Sequence, residues 1–208
     1  CQARWLADMF GQEYYEDFRD ITTTFYHQSF SRKPELMGWG YQWSTNKHGK
    51  ERNTDTDFSF TNYREADTRL AEYDRIGTKV DSILQQLPES EKAGFYQLLY
   101  YPVKGCEYLN KMVLYGQKNR WYALQGRAAT DSIAKEAKAC YDSLQIITQG
   151  YNSLLNGKWN PVMTTRQGFA ASYFELPKLL DVSLPAAASL GVLTEVMESD
   201  VFLNTSLF

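Results

Sequence analysis

The sequence predicts an all-α fold: an antiparallel helical bundle of about four to five helices, with a long aromatic loop and an extended C-terminal tail. Two stripes of apolar or small residues predict the bundle, because each keeps the three-four spacing of a helix face over more than three turns. The first stripe is Tyr63, Ala66, Leu70, Tyr73, Gly77, Val80, Leu84 and Leu87, and the second is Ile133, Ala137, Cys140, Leu144, Ile147, Tyr151 and Leu154.

The first helices are predicted between residues 4 and 30, where aromatic and apolar residues recur at near-helical intervals. Gly11 interrupts this pattern and divides it into a short helix and a longer one. Pro34 disfavours a helical conformation at Lys33, so the second helix should end just before that point. A long loop then follows.

The starts and ends of the three long helices are marked by capping and breaking residues. Asn62 is expected to cap the first, with Glu65 reaching back to its amide, and Pro88 ends that helix. The second begins near Ser90, has a break or kink at Pro102, and stops at Gly126. Gly157 is expected to close the third as a C-terminal cap.

Composition excludes several classes of function. The formal net charge of −3 argues against nucleic acid as a partner, because phosphate binding needs a basic face. The least polar stretch, residues 182–196, is too short to span a bilayer and is broken by Pro185 and Gly191, so no membrane partner is expected. With two histidines and no complete calcium loop, the sequence predicts no metal site and no cofactor.

The three cysteines, Cys1, Cys106 and Cys140, are an odd number at no metal spacing. Cys106 and Cys140 fall on apolar helix faces, where a free cysteine behaves as a small hydrophobic residue. A disulfide between these two is left open, because it depends on the distance between their Cα atoms.

Several short segments, in order along the chain, resemble glycoside hydrolase family 115. They are residues 32–36 (RKPEL), 61–66 (TNYREA), 95–98 (FYQL), 102–104 (PVK), 118–127 (KNRWYALQGR), 151–152 (YN), 157–160 (GKWN) and Met163. Each segment is modest alone, and together they are specific. The resemblance implies a multi-domain, inverting α-glucuronidase that removes glucuronic acid or its 4-O-methyl form from the side chains of glucuronoxylan.

The resemblance also implies a division of the chain. Residues 1–36 would be the C-terminal helices of the catalytic-barrel region, 37–59 a long loop, 60–175 the helical-bundle domain, and 176–208 an extended linker toward a β-sandwich domain that this chain lacks. We expect a fragment of a secreted or periplasmic enzyme, with an apolar surface near Trp5, Phe10 and the tail that neighbouring domains would cover.

No catalytic residue is assigned to this chain, because the resemblance implies that both catalytic carboxylates lie upstream of Cys1. The expected partners are the rest of the parent enzyme and glucuronoxylan, with a homodimer left open. An independent helical-bundle module that binds a protein or a glycan is the alternative function.

The candidate substrate-facing residues are Trp39, Tyr41 and Trp43, in the long loop. Their rings could stack on sugars or could instead anchor the loop onto the bundle. Arg120, Arg127 and Lys104 could pair with a uronic acid carboxylate, but ion pairs that lock helices together are the favoured interpretation.

Overall fold

The computed structural model describes residues 1–37, 55–163 and 175–182. Within these ranges the regular elements are all helices, which confirms the all-α prediction. The α-helices are α1 (Gln2–Phe10), α2 (Tyr15–Ser31), α3 (Glu65–Gln86), α4 (Glu89–Phe95), α5 (Tyr101–Leu124) and α6 (Thr130–Gly157). Short 3-10 turns lie at Gln12–Tyr14 and Pro34–Leu36, and a π-helical turn lies at Tyr96–Tyr100. No helix of the described ranges is long and apolar enough to cross a membrane.

The long helices pack side by side in the order α2, α3, α5, α6, and each neighbouring pair runs antiparallel. The direction follows from side-chain contacts, since residue numbers rise along one helix while they fall along the next. The contacts are Asp17 with Lys79 and Gln28 with Arg69, then Asp81 with Lys104 and Arg69 with Asn110, then Tyr101 with Thr148 and Asn119 with Thr130.

The boundary between α1 and α2 lies where the glycine predicted it. Gly11 has φ of 126°, a conformation that side-chain-bearing residues rarely adopt, and this reverses the chain so that the two helices pack together. Phe10 then meets Phe95 edge to face, with ring centroids 5.4 Å apart. Phe10 is therefore buried, contrary to the expected exposed surface, whereas Trp5 is 48% exposed.

The prediction that Asn62 caps α3 is wrong. Tyr63 and Arg64 both have positive φ, and the chain folds back so that the amide of Ala66 donates to the carbonyl of Ser59 at 2.9 Å. The carboxylate of Glu65 does reach back, but it accepts the amide of Ser59 at 3.2 Å. Tyr63 is consequently 94% exposed, and the buried stripe begins at Ala66.

The predicted interruption at Pro102 takes the form of a π-helical turn. The helical path continues from α4 through residues 96–100 into α5. Proline lacks an amide proton, and its ring crowds the carbonyl four residues earlier, which here belongs to Leu98. A wider turn relieves that crowding without ending the helix.

The last helix loses its regular conformation before the predicted cap. Gly157 has a positive φ of 78°, as a C-terminal cap should. Leu154 is already extended, however, and Leu155 and Asn156 are left-handed. The helical conformation therefore ends three residues earlier than the sequence indicated.

Two hydrophobic clusters form the core of the described residues. The larger joins α1, α2, α3 and the α4–α5 junction through residues that include Phe18, Ile21, Tyr73, Ile76, Val80, Phe95 and Val103. The smaller joins α3 and α5 through Met37, Ala66, Leu70, Leu109, Met112, Val113 and Leu114. Most positions of the α3 stripe lie in one or other cluster, which confirms that the stripe is core.

A buried charged group lies on the α3–α5 interface. The side chain of Glu107 is 4% exposed and pairs with Lys104 at 2.7 Å and Lys111 at 2.6 Å. It lies against Gly77, where a Cβ atom would collide with the carboxylate. Burial lowers the pKa of Lys104, but hydrogen bonds to Glu107 and Asp81 raise it above its ordinary value. Lys104 is therefore a charged structural residue, as the favoured interpretation held.

We expect Gly77→Ala to lower the free energy of unfolding by about 2–3 kcal/mol, because the added methyl group would displace a buried, paired carboxylate. Urea denaturation followed by circular dichroism would measure the change. Gly105→Ala is the matched control, because a Cβ atom at that helical position meets nothing within 4 Å. Equal effects of the two substitutions would contradict the steric role of Gly77.

Candidate functional site

The C-terminal end of α2 is held by a buried arginine from α3. Arg69 is 3% exposed, and its guanidinium donates to the backbone carbonyls of Gln28 and Arg32, both at 3.0 Å, and to the Ser31 hydroxyl at 2.9 Å. It also donates to the side chain of Asn110 on α5 at 2.7 Å. One side chain thus satisfies carbonyls that the end of α2 leaves unpaired and ties α2, α3 and α5 together.

Residues 55 and 56, which follow the undescribed segment 38–54, contact the surface of α5. The amide and hydroxyl of Thr56 both donate to the side-chain oxygen of Gln117, at 2.9 and 2.8 Å. Asp55 forms an ion pair with Arg120. Met37, at the start of the loop, is fully buried in the smaller core cluster. The described residues on either side of segment 38–54 are therefore both held on the bundle.

Trp39, Tyr41 and Trp43 lie outside the described residues. Their predicted contact with substrate stays a prediction. What the described residues establish is the position of the residues on either side of this segment.

The segment from residue 175 to 182 crosses the same part of α5. The side chain of Asn119 donates to the carbonyl of Leu180 at 2.9 Å and accepts its amide at 2.7 Å, a two-bond clamp on one residue. Arg120 donates to the carbonyl of Lys178. At Gly116 a Cβ atom would come within 2.5 Å of the Pro177 ring, so only glycine allows this approach.

The predicted carboxylate-binding arginines divide into two kinds. Arg120 is committed to Asp55 and to a backbone carbonyl, which agrees with the structural interpretation. Arg127 is exposed and lies over the rings of Trp121 and Tyr122, at 5.3 and 4.4 Å from their centroids. It forms no ion pair with another described residue.

An apolar groove of about 950 Å³ lies between the end of α2, the start of α5 and the middle of α6. Phe30 on its rim is 92% exposed. Its apolar lining includes Phe25, Tyr26, Phe30, Tyr101, Pro102 and Leu144. Glu35 is the single carboxylate among its described lining residues, whereas an inverting glycosidase uses two carboxyl groups about 6.5–9.5 Å apart. The groove has the character of a hydrophobic contact surface.

The cysteines are all free thiols. Cys106 lines the groove, and burial raises its pKa to about 12; burial likewise raises the pKa of Cys140 to about 11. Both thiols are protonated at neutral pH and therefore are not activated nucleophiles. Among the described residues no group of three or more histidine, cysteine or acidic side chains is placed to hold a metal ion.

Comparison with known proteins shows similarity to a solved structure. No family model matches the chain, and no curated protein matches it. A solved structure described as a family GH115 4-O-methyl-α-glucuronidase, BtGH115A, with specificity for decorated arabinogalactans, is similar with a TM-score of 0.64 and 25% sequence identity. The similarity covers 92% of this chain and 24% of that chain. The resemblance to glycoside hydrolase family 115 is confirmed.

Two of the residues that hold α2 and the 175–182 segment in place were assigned no structural role from the sequence. Arg69 and Asn119 were missed, although both carry a signal in the sequence. Arg69 lies three residues after Ala66 and four before Tyr73, so it shares the buried face of α3. Asn119 occupies a helix interior, where asparagine is unfavourable unless its amide has a specific partner.

We expect Arg69→Met to destabilise the chain by about 3 kcal/mol or more, because it leaves several buried acceptors without a donor. Thermal and urea unfolding would measure the loss. Arg75→Met is the control on the same helix; Arg75 is 40% exposed and pairs at the surface, so its loss should cost under about 1 kcal/mol. A smaller effect at position 69 than at 75 would refute the anchoring role.

Asn119→Ala should release the 175–182 segment while leaving the rest of α5 in place. We expect amide hydrogen exchange at Leu180 to accelerate roughly tenfold, the equivalent of one ordinary hydrogen bond. Asn152→Ala is the matched control, because Asn152 clamps Met163 through the same two bonds, at 2.6 and 3.0 Å. Unchanged exchange at Leu180 in the Asn119 variant would show that the clamp is not what holds the segment.

Proposed function

We propose that this chain is the helical accessory part of a family 115-like α-glucuronidase that removes glucuronic acid or 4-O-methylglucuronic acid side chains from glucuronoxylan. In this proposal the chain supports the catalytic barrel and is not active by itself. One observation carries the proposal: nearly the whole chain aligns with about a quarter of a 4-O-methyl-α-glucuronidase chain. The parent would be secreted or periplasmic.

The supporting role is consistent with what α5 does in the described residues. Four of the residues from 116 to 120 hold the returning loop and the 175–182 segment on one side of the bundle. Catalytic groups must be held within about 0.5 Å of their productive positions, so a rigid neighbouring bundle contributes to activity without touching the reacting atoms. Residues 1–36 would continue the barrel region, and 60–175 would form the bracing domain.

The chemistry would take place elsewhere in the enzyme. An inverting mechanism needs an acid and a base on either side of the glycosidic bond, with a water molecule between the base and the sugar. We assign neither group to this chain, and no cofactor or metal. The xylan backbone is the proposed polymer, but BtGH115A is described as specific for decorated arabinogalactans. The shared element of both substrates is the uronic acid side chain.

The alternative is an independent helical-bundle module that binds a protein or a glycan. The observation that favours it is the apolar groove of about 950 Å³, with Phe30 92% exposed on its rim. In the accessory-domain proposal this groove is covered by another part of the parent enzyme. In the module proposal it takes a separate ligand.

The decisive test is release of 4-O-methylglucuronic acid and glucuronic acid, measured for this chain and for the product of the whole gene. Glucuronoxylan and a glucuronic-acid-decorated arabinogalactan should be compared as substrates. We expect release by the whole product and none by the 208-residue chain. Release by the 208-residue chain would contradict the accessory role, because it would require an acid and a base within these residues.

A further inference from the structure

We propose that Phe60, Lys118, Trp121, Tyr122 and Arg127, here called the cationic aromatic platform, bind a saccharide ring that carries a carboxylate. The proposal deepens the proposed function, on which it rests for the identity of the sugar. The platform lies around the C-terminal end of α5, with Phe60 packed against the smaller core cluster, and none of its residues lines the apolar groove.

The platform begins with three half-buried aromatic rings that adjoin one another. The rings of Phe60 and Trp121 are stacked, with an interplanar angle of 12° and centroids 6.1 Å apart. Tyr122 adjoins Trp121 at 5.4 Å. Aromatic faces of this size suit the apolar C–H faces of pyranose rings, which leave the sugar hydroxyls free at the edges.

Two cations lie over these rings. The ammonium group of Lys118 lies 5.4 Å from the centroid of Phe60 and 5.7 Å from that of Tyr122. The guanidinium of Arg127 lies 4.4 Å from the centroid of Tyr122 and 5.3 Å from that of Trp121. A carboxylate on a stacked sugar ring would therefore find a lysine and an arginine within reach of the same surface.

Neither cation forms an ion pair with a described residue, and this separates both from three basic residues of α5. Lys104, Lys111 and Arg120 each pair with an acidic side chain in the bundle. In a chain of formal net charge −3, two adjacent basic side chains without a carboxylate partner in the described parts form a local positive surface. A uronic acid supplies the missing carboxylate, whereas a neutral sugar does not.

Polar groups for the sugar hydroxyls are also present. The Trp121 indole N–H and the Tyr122 hydroxyl make no hydrogen bond to another described residue, so both can engage a ligand. At the same end of α5, the side-chain oxygen of Gln125 is buried without a donor among the described residues. Buried acceptors of this kind are rare and mark places where a further donor, such as a hydroxyl group, fits.

The position of the platform connects it to the loop of the candidate site. Phe60 follows directly after the residues with which the loop rejoins the bundle, and Thr56 binds Gln117, one residue before Lys118. A sugar on the platform would therefore lie near the point at which residues 55–58 meet α5. This places the proposed site on the same side of the bundle as residues 55–58.

The test uses the 208-residue chain and nuclear magnetic resonance titration of the tryptophan indole signals, with Trp121 assigned from the Trp121→Phe variant. The ligand is a xylo-oligosaccharide bearing one 4-O-methylglucuronic acid; the neutral xylo-oligosaccharide and inorganic phosphate are compared at equal ionic strength. We expect the acidic oligosaccharide to shift the Trp121 signal and to bind roughly tenfold more tightly than the neutral one. Phosphate should leave that signal in place.

Substitutions then separate binding from structure. Arg127→Gln and Lys118→Gln should each weaken binding of the acidic oligosaccharide roughly tenfold while leaving the melting temperature close to that of the unchanged chain. Lys158→Gln is the matched control, because Lys158 lies 5.0 Å from the centroid of Trp159 as a separate cation–aromatic pair. It should not alter binding.

Three results would overturn the proposal: equal or absent binding of the acidic and neutral oligosaccharides, a Trp121 shift with phosphate alone, or equal weakening by Lys158→Gln and Arg127→Gln. Because the readout is binding by this chain, it is independent of glycosidase activity. If the chain binds the acidic sugar but the whole gene product releases no uronic acid, the platform proposal is retained and the accessory role is rejected. If the chain does not bind the acidic sugar although the whole gene product releases it, the platform is rejected and the accessory role is retained.

Discussion

The bundle depends on the buried guanidinium of Arg69. Burying a charge costs free energy unless every donor finds a partner, and here the partners come from α2 and α5 while the arginine itself belongs to α3. Burial lowers the pKa of Arg69, yet the side chain stays charged because arginine starts so far above neutrality. The helices can move apart only by leaving this charge without its acceptors. Hydrophobic contacts bring α2, α3 and α5 together. The guanidinium then fixes the position of each helix relative to the other two.

Glu107 and its two lysine partners form a second buried charged group, farther along the α3–α5 interface, and it constrains the helices in the same way. Glu107 lies between two lysines and against Gly77, so the interface is close at that point and allows one register. A purely apolar stripe tolerates sliding by a turn, because one leucine replaces another at similar cost. A buried carboxylate with fixed partners does not tolerate such sliding, because it would lose those partners. Arg69 and Glu107, with their partners, together fix the position of α5 and so of the segments that contact it.

What is attached to α5 is the part of the chain with functional interest. Three features meet this helix between Gln117 and its C-terminal end or just beyond. They are residues 55 and 56, the segment from 175 to 182, and the cationic aromatic platform. The similarity to a 4-O-methyl-α-glucuronidase over nearly the whole chain is the reason why a uronic acid is the ligand proposed for the platform. The proposed accessory role and the proposed platform draw on different observations, the first on the shared fold and the second on unpaired cations beside aromatic rings.

The sequence by itself determined the helices and most of the core, because helix periodicity and breaking residues act locally. Gly11, Pro34, Pro88 and Gly126 all mark boundaries that the structure keeps, and the stripe from Ala66 to Leu87 is buried as its spacing indicated. The start of α3 was misjudged because the Ser59 backbone competes with Asn62 as the capping partner, and two residues in left-handed conformation decide between them. Only the tertiary structure decided which polar residues lie inside. Arg69 and Asn119 carry a local signal, but their burial depends on partners 41 and 61 residues away. Glu107 has local lysine partners, yet only its packing against Gly77 of α3 places it inside.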